Sequence, residues 1–437
     1  MFKTIVYTHN INGDIMNKTS SYLSDLYKEN DDFILREINN GKDSIYVVYF
    51  ESLCDTKGIY DYVIRNIFNY KNKYNNINKL IDVVSSPKLI ELSSDKEISY
   101  YIENGYCVVF YKKEYYAIEV KADIDRGITL SQTEPNLYGP KDSFCENYQK
   151  NLGTIKRRIK TTDLKVDSAV KGDYTKDKIS LIYLDSKVNK VSLNKIKTAF
   201  NKLDLEVIDS NKIIDYMDKD PIFPTIMRTE KPSLVSEYIL KGKIVMLIDN
   251  TPFVLLFDTK LSEFINPTVN DKFIKILRYL CFILTIITPG VYVALTNFNP
   301  EAIPTSLLIN FSYQRYGVPF PAIIEALIML FICEILRETD LRFPNTYGSA
   351  ASILGALILG DASVSAGIVS PIMIIVIAIT FITNLLFTQI KLIWALRILR
   401  ISFLIIGTFF GLYGIALASI FTLAYISNVN TLEGTYI

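Results

Sequence analysis

The chain has 437 residues, with 47 Lys and Arg against 46 Asp and Glu and a net charge of +1. A balance this close to neutral offers no global field for nucleic acid. One histidine, His9, and five scattered cysteines exclude most hydrolase, zinc and disulfide chemistry. The apolar residues are unevenly spread. Residues 1–270 read as a water-soluble protein rich in Lys, Asp, Asn and Tyr, and residues 276–427 are mostly Ile, Leu, Phe, Val, Ala and Gly.

Residues 1–31 are polar and read as a flexible N-terminus. They hold no apolar stretch long enough for a signal peptide, which places the soluble part on the cytoplasmic side. A first α/β subdomain is expected over 32–128. Its signals are a strand-like run at Ser44–Phe50 (SIYVVYF), a helical stretch around Ile59–Tyr70, and a strand pair at Tyr106–Tyr111 and Tyr115–Val120. The short Lys112-Lys113-Glu114 gap suits a hairpin. A polar connector follows over 129–170, helical near Ser143–Lys160. Its run Lys156-Arg157-Arg158-Ile159-Lys160 reads as a solvated helix face or as a contact to a lipid headgroup or partner.

The same order then recurs in a second α/β subdomain over 171–270. Lys178–Leu184 (KISLIYL) is followed by Asp185-Ser186, as SIYVVYF is followed by Glu51-Ser52. A helical stretch at Leu193–Leu203 comes next, and Gly242–Phe257 mirrors Gly105–Val120. The pattern implies two related subdomains with helices on small sheets; chance likeness of β-rich segments is the other reading. A cleft between two such lobes is a common place for a small ligand.

Residues 271–437 form the expected transmembrane domain. A bilayer core needs about 20 apolar residues per helix. Ile276–Phe298, Pro319–Leu336, Leu354–Ser370 and Pro371–Phe387 are candidates, and Ile398–Ile426 is either one tilted span or a bent pair. About five membrane helices are therefore expected. Lys272, Lys275 and Arg278 flank the first, Arg337 and Arg342 follow the second, and Lys391, Arg397 and Arg400 follow the fourth. Basic residues in alternate loops put the N-terminal region inside.

Acidic residues at membrane depth are expensive unless paired, neutralised or facing water. Glu325 falls within the second segment and Asp361 within the third, and Glu334 reads as interfacial. Glu325 either bonds a neighbouring helix or serves an ion path or gate. In the third segment Ala356, Gly360, Ser363, Gly367 and Ser370 recur at spacings of three and four, a small-residue stripe that lets helices approach closely. Asp361 and Ser365 lie beside it, four apart. Asp361, Ser363 and Ser365 are thus pore candidates and Ala356, Gly360 and Gly367 helix-packing candidates. A tightly packed interior helix without a channel is the alternative.

No Gly-rich phosphate loop, HExxH, CxxC or Ser-His pairing occurs, and no aromatic-basic pattern suggests nucleic-acid readout. Neither an enzyme nor a cofactor or metal is expected.

Several runs resemble a known family. They are Pro319-Phe-Pro-Ala-Ile-Ile-Glu325, then Glu334-Ile-Leu-Arg-Glu-Thr-Asp-Leu-Arg342-Phe-Pro344, then Gly348 and Ile353–Gly360. Upstream, Gly139-Pro140, Phe144, Glu146, Asn151 and Arg157-Arg158 match the family's connector. Phe223-Pro224, Thr229-Glu230-Lys-Pro232 and Gly242 through Thr251-Pro252-Phe253 match its second subdomain. Together these resemble the A subunit of GerA-type spore germinant receptors, the GerA/SpoVAF family, from about Asp32 onward. The resemblance implies a multi-pass protein of the endospore inner membrane, with its N-terminal domain on the core side. It implies a homo-oligomer working with a transporter-like, nutrient-binding B subunit and a lipoprotein C subunit, and releasing monovalent cations. A non-conducting scaffold or sensor, or an accessory SpoVAF-like homologue, is the alternative. The sequence departs from the family at Tyr138, where an Arg usually precedes the Gly-Pro, and at Asp361, where a Gln commonly follows the Gly.

Overall fold

A computed structural model of the chain describes residues 18–40, 43–74, 79–80, 83–86, 89–93, 95–112, 114–122, 140–218, 222–267, 271–342, 359–429, 431 and 436. The chain divides into two units, Met1–Lys219 with Ile226–Asp258, and Asp220–Thr225 with Thr259–Ile437.

The first unit holds two five-stranded antiparallel sheets. In chain order the first half contains α1 (Lys18–Leu26), β1 (Phe33–Asn40), β2 (Asp43–Phe50), α2 (Thr56–Ile59), α3 (Arg65–Tyr74), β3 (Leu89–Glu91), α4 (Asp95–Glu103), β4 (Tyr106–Tyr111) and β5 (Glu114–Glu119). Its sheet runs β1-β2-β4-β5-β3. Successive side chains of a strand point to opposite faces, and here both faces are covered. Ile45, Val47, Cys107 and Val109 pack with Ile59, Val63 and Ile67, whereas Tyr46, Val48, Val108 and Phe110 pack with Leu23, Ile98 and Ile102. Double coverage explains why SIYVVYF and YCVVFY are apolar throughout instead of alternating. The expected hairpin forms, with Tyr111 opposite Glu114.

The second half contains α5 (Tyr148–Arg158), β6 (Leu164–Lys171), β7 (Asp177–Leu184), α6 (Lys190–Asn201), α7 (Ser210–Met217), β8 (Met227–Thr229), α8 (Pro232–Leu240), β9 (Val245–Ile248) and β10 (Val254–Leu256). Its sheet runs β6-β7-β9-β10-β8, the same order as the first sheet. Details repeat as well. Asp32 and Asp163 each precede the first strand of their sheet. Each carboxylate accepts hydrogen bonds from the N–H and hydroxyl of a serine two residues past the second strand, Ser52 and Ser186 respectively. Gly105 and Gly242 follow α4 and α8 with φ of 80° and 85°. The Gly242 and Lys243 N–H groups close the end of α8 on Ile239 and Tyr238 carbonyls. A Cβ on Gly105 or Gly242 would press on the carbonyl oxygen of Leu53 or Lys187, each three residues past the second strand.

Two differences from the sequence reading follow. The stretch 1–31 contains α1, whose Leu23 is completely buried. The stretch 129–170 contains β6 and α5, and α5 packs on α8 and β9 as part of the second subdomain.

The second unit is helical: α9 (Leu261–Ile265), α10 (Lys272–Asn297), α11 (Thr305–Arg315), α12 (Ala322–Arg342), α13 (Pro371–Asn384) and α14 (Ile390–Asn428). Among the described residues, α10 and α14 are long and apolar enough to cross a membrane. The expected five spans are not confirmed. The 14 residues of α13 span about 21 Å at 1.5 Å per residue, less than a hydrocarbon core. The third expected span stops being helical after Ser365, and Gly367 sits in a turn with φ of 66°.

The last segment bends. Gly411 is non-helical, with φ 59° and ψ −154°, and divides α14 into arms 390–410 and 412–428. The reversal is tight: a Cβ on Gly414 would lie 3.1 Å from the Ile406 carbonyl oxygen. The first arm runs beside α10, with Phe403 against Gly290, and at its two ends Phe387 lies near Phe282 and Gly411 against Phe298. The second arm returns to bring Tyr425 to Phe223, which also contacts Tyr436. Ile276, Leu280 and Ile283 of α10, with Trp394, Ile398, Ile401 and Ile405 of α14, point outward.

Candidate functional site

Glu325 lies in the first turn of α12 and is wholly enclosed. Its Oε2 accepts hydrogen bonds from the Ser370 N–H at 2.9 Å and hydroxyl at 2.8 Å. Ser370 is the N-cap of α13 and makes no side-chain cap of its own. The carboxylate therefore caps α13 from another helix, a favourable place for negative charge beside the positive end of the helix dipole. Arg315 Nε lies 3.6 Å from Oε1. This is a helix-to-helix clamp, and Glu325 presents no accessible surface.

The other three polar candidates are on the helical piece 359–365. Asp361 and Ser365 are exposed, whereas Ser363 is buried. Asp361 makes no ion pair among the described residues. Glu325's hydrogen bonds and ion pair go to Ser370 and Arg315 and to none of these three.

Close packing occurs elsewhere than expected. A Cβ added to Gly360 would meet nothing within 4 Å among the described residues, and Gly367 serves its turn against the Gly317 carbonyl. Ala356 lies outside the described residues. The tight seam is between α10 and the first arm of α14. A Cβ on Gly290 would come 2.7 Å from the Phe403 oxygen, and one on Gly407 2.7 Å from the Gly290 oxygen. The signal in the sequence was a glycine in each of two runs otherwise built of large apolar residues.

A second polar centre lies in the first unit. Lys156 of α5 is buried and its Nζ is 2.7 Å from Asp32 Oδ2, with the Asn30 Oδ1 at 3.3 Å and the Phe50 ring centroid at 3.5 Å. Burial pushes the ammonium pKa down, against the opposing pull of Asp32. Asp32 and Phe50 belong to the first half and α5 to the second. The two halves also join through a short parallel bridge between Asn30 and Val166. A small pocket beside the pair is lined by Asn30, Phe50, Glu103, Lys156, Ile159 and Leu164. Burial raises the Glu103 carboxyl pKa, and Tyr27 donates a hydrogen bond to it at 3.2 Å. The basic run is thus not a uniformly solvated face: Lys156 is inside, Arg158 pairs with Asp142 at 2.6 Å, and Arg157 is exposed.

The motif residues form a frame around α5. The Phe144 N–H donates to the Glu230 carbonyl at 2.9 Å, and the Asn250 N–H to the Glu146 carbonyl at 3.1 Å. These bonds fasten the stretch after Pro140 to the loops that carry Pro232 and Pro252. Pro232 opens α8 at its first turn, where its missing N–H is no loss. Pro252 is half-buried between β9 and β10. Arg342 closes α12. Gly139 and Pro344 lie outside the described residues.

The family profile described as "Bacillus/Clostridium GerA spore germination protein" matches residues 21–437. Spore germination protein KA of Bacillus subtilis is 32% identical over 93% of this chain and 78% of its own length. The uncharacterized membrane protein YfkQ of the same organism is 28% identical over 93% of this chain and 82% of its own length. The crystal structure of the N-terminal domain of the A subunit of the Bacillus megaterium spore germinant receptor GerK3 aligns with a TM-score of 0.42 and 22% identity. It covers 56% of this chain and 94% of the domain. With the profile matched from residue 21 to residue 437, the chain belongs to the GerA family of spore germination proteins.

Proposed function

We propose that this chain is the A-type subunit of a spore germinant receptor, anchored in the inner spore membrane with its two-sheet unit on the core side. It would oligomerise and turn nutrient binding, on a transporter-like B subunit associated with a lipoprotein C subunit, into release of monovalent cations. Family membership supports the germination role. The observation that carries the membrane reading is the outward apolar stripe on α10 and α14, which suits hydrocarbon and is costly in water.

Within this reading, Asp361 and Ser365 supply the polar surface of the cation path. Asp361 is exposed and carries no partner charge among the described residues, so it is free to face a column of cations. Glu325 acts at a distance from the ions by holding α12 to α13. The ligand would shift the population between two packings of these helices. The test is Asp361→Asn in spores, with potassium release followed after nutrient addition. Slower release with normal membrane levels of the protein supports the reading, and release equal to wild type rejects it.

The sealed Glu325 favours one rival, a non-conducting sensor whose partner moves the ions. Full-length protein in planar bilayers separates the two. Cation current that falls in Asp361→Asn supports conduction by this chain; an oligomer that passes no current supports the sensor.

A further inference from the structure

The seam between α12 and the first arm of α14 gathers three arginines around one part-buried carboxylate. Glu334 and Arg337 come from α12, and Arg397 and Arg400 from α14. Arg397 pairs with Glu334. Arg400 is only 5% exposed, and the charged groups acting on it are Glu334, Arg397 and Arg337. Glu334 is thus the carboxylate that acts on both Arg337 and Arg400, while Arg397 opposes it at each. The Arg400 Nε, the Arg397 Nε and the Arg337 Nη1 are all buried without a hydrogen-bond partner among the described residues.

A buried cation with no acceptor is strongly unfavourable. Arg400 is the nearly buried one and has no ion pair among the described residues, and the buried, unpartnered N–H groups of Arg337 and Arg397 beside it describe a seam that lacks an acceptor. The seam also lies where charge ends along both helices. Ala322–Cys333 contains no basic residue, and Ile401–Ile426 contains no charged residue. An anion reaching this level from the polar side would meet guanidinium forks from two helices at once. Forked donors match tetrahedral oxyanions better than they match a point charge.

We propose that Arg337, Arg397 and Arg400 bind a phosphate group, held between α12 and α14 and balanced on one side by Glu334. Occupancy would fasten the two helices together through the ligand. The phosphate is that of an anionic phospholipid or a free phosphate ion, and the lipid source rests on the membrane reading given above.

The experiment uses the full-length chain, purified in detergent and stripped of lipid. Its melting is followed by the fluorescence of Trp394, whose ring lies 4.4 Å from the Arg397 guanidinium. Phosphatidylglycerol, phosphatidylcholine and inorganic phosphate are titrated separately. Stabilisation by phosphatidylglycerol but not phosphatidylcholine assigns the site to an anionic lipid. Stabilisation by inorganic phosphate, with no further gain from phosphatidylglycerol, assigns it to the free ion. In either case Arg400→Met and the less buried Arg337→Gln weaken binding about tenfold, the loss of roughly one charge-assisted hydrogen bond. Without ligand, Arg400→Met melts higher than wild type, because a buried unpaired charge has gone. The proposal is overturned if neither anion stabilises the protein, or if both variants respond as wild type does. Carbonate extraction of membranes is run alongside. A chain released into the aqueous fraction sinks the membrane reading, while the inorganic phosphate titration still reports on the site.

Discussion

Lys156 reaches from α5 across to Asp32, and the two side chains meet at 2.7 Å with 4% and 1% of their surfaces exposed. In the second half of the same unit Asp163 makes the matching bonds to Ser186, with no buried lysine against it among the described residues. The repeated clip has thus been turned, in one copy, into a joint between halves. Removing one partner of a buried pair leaves the other charge stranded. Lys156→Met is expected to destabilise the unit by about 3–5 kcal/mol. Lys156→Met with Asp32→Asn is expected to cost less than Lys156→Met alone. Amide-exchange protection of α5 and β1 in the four proteins of the cycle measures this.

Acidification should stabilise this unit over a defined range. Burial raises the folded-state pKa of Glu103 above its ordinary value of 4.5, and burial does the same for Asp31. A carboxyl raised on folding binds its proton more tightly in the folded state. Its contribution is complete below the unfolded value and is lost as pH rises through the folded one. Melting temperature should therefore rise as pH falls from neutral toward 4.5. Glu103→Gln should flatten that slope, and a slope unchanged by the substitution would contradict the assignment.

The Glu325 clamp predicts a graded series. Glu325→Ala leaves the Ser370 N–H and hydroxyl without their acceptor, at about 1–3 kcal/mol. Glu325→Gln keeps an acceptor oxygen and loses the attraction to Arg315 and the charge at the α13 N-terminus, so its loss is smaller. Thermal melting of the detergent-solubilised protein should rank wild type first, then Gln, then Ala.

The α10–α14 seam predicts where small residues are required. Gly290→Ala and Gly407→Ala each force backbone apart, an overpacking expected to cost about 1–3 kcal/mol. Gly360→Ala should be neutral, since an added Cβ meets nothing there among the described residues. Trp394 is the only tryptophan and lies on the first arm of α14, so its emission follows the melting of these variants.

How far the sequence could be read depended on how local the determinants were. The repeated sheets were visible because apolar strands, the Ser52 and Ser186 turns and the Gly105 and Gly242 helix ends are signals within a few residues of one another. The burial of Lys156 was not visible, because a lysine in a basic helical run looks solvated until Asp32, over a hundred residues away, is brought to it. The role of Glu325 hung on Ser370, equally distant in kind. The spacing of Gly360, Ser363, Gly367 and Ser370 suggested one continuous stripe, but a positive φ at Gly367 ends the helix and the periodicity carries no geometry past it. For the last apolar segment the sequence left one span or two open, and Gly411 decides the matter by its backbone alone.

In the membrane reading proposed above, that reversal sets the parity of crossings. Because the second arm brings Tyr425 back to Phe223, which also meets Tyr436, and Leu261 donates its N–H to the Tyr436 carbonyl, that reading puts Lys260, just before α10, and Tyr436 in one compartment. Cysteines introduced at Lys260 and at Thr431 would then be labelled together by an impermeant maleimide applied to one face of sealed vesicles, or together protected from it. Straightening the segment by replacing Gly411 with a helix-forming residue would split that shared response.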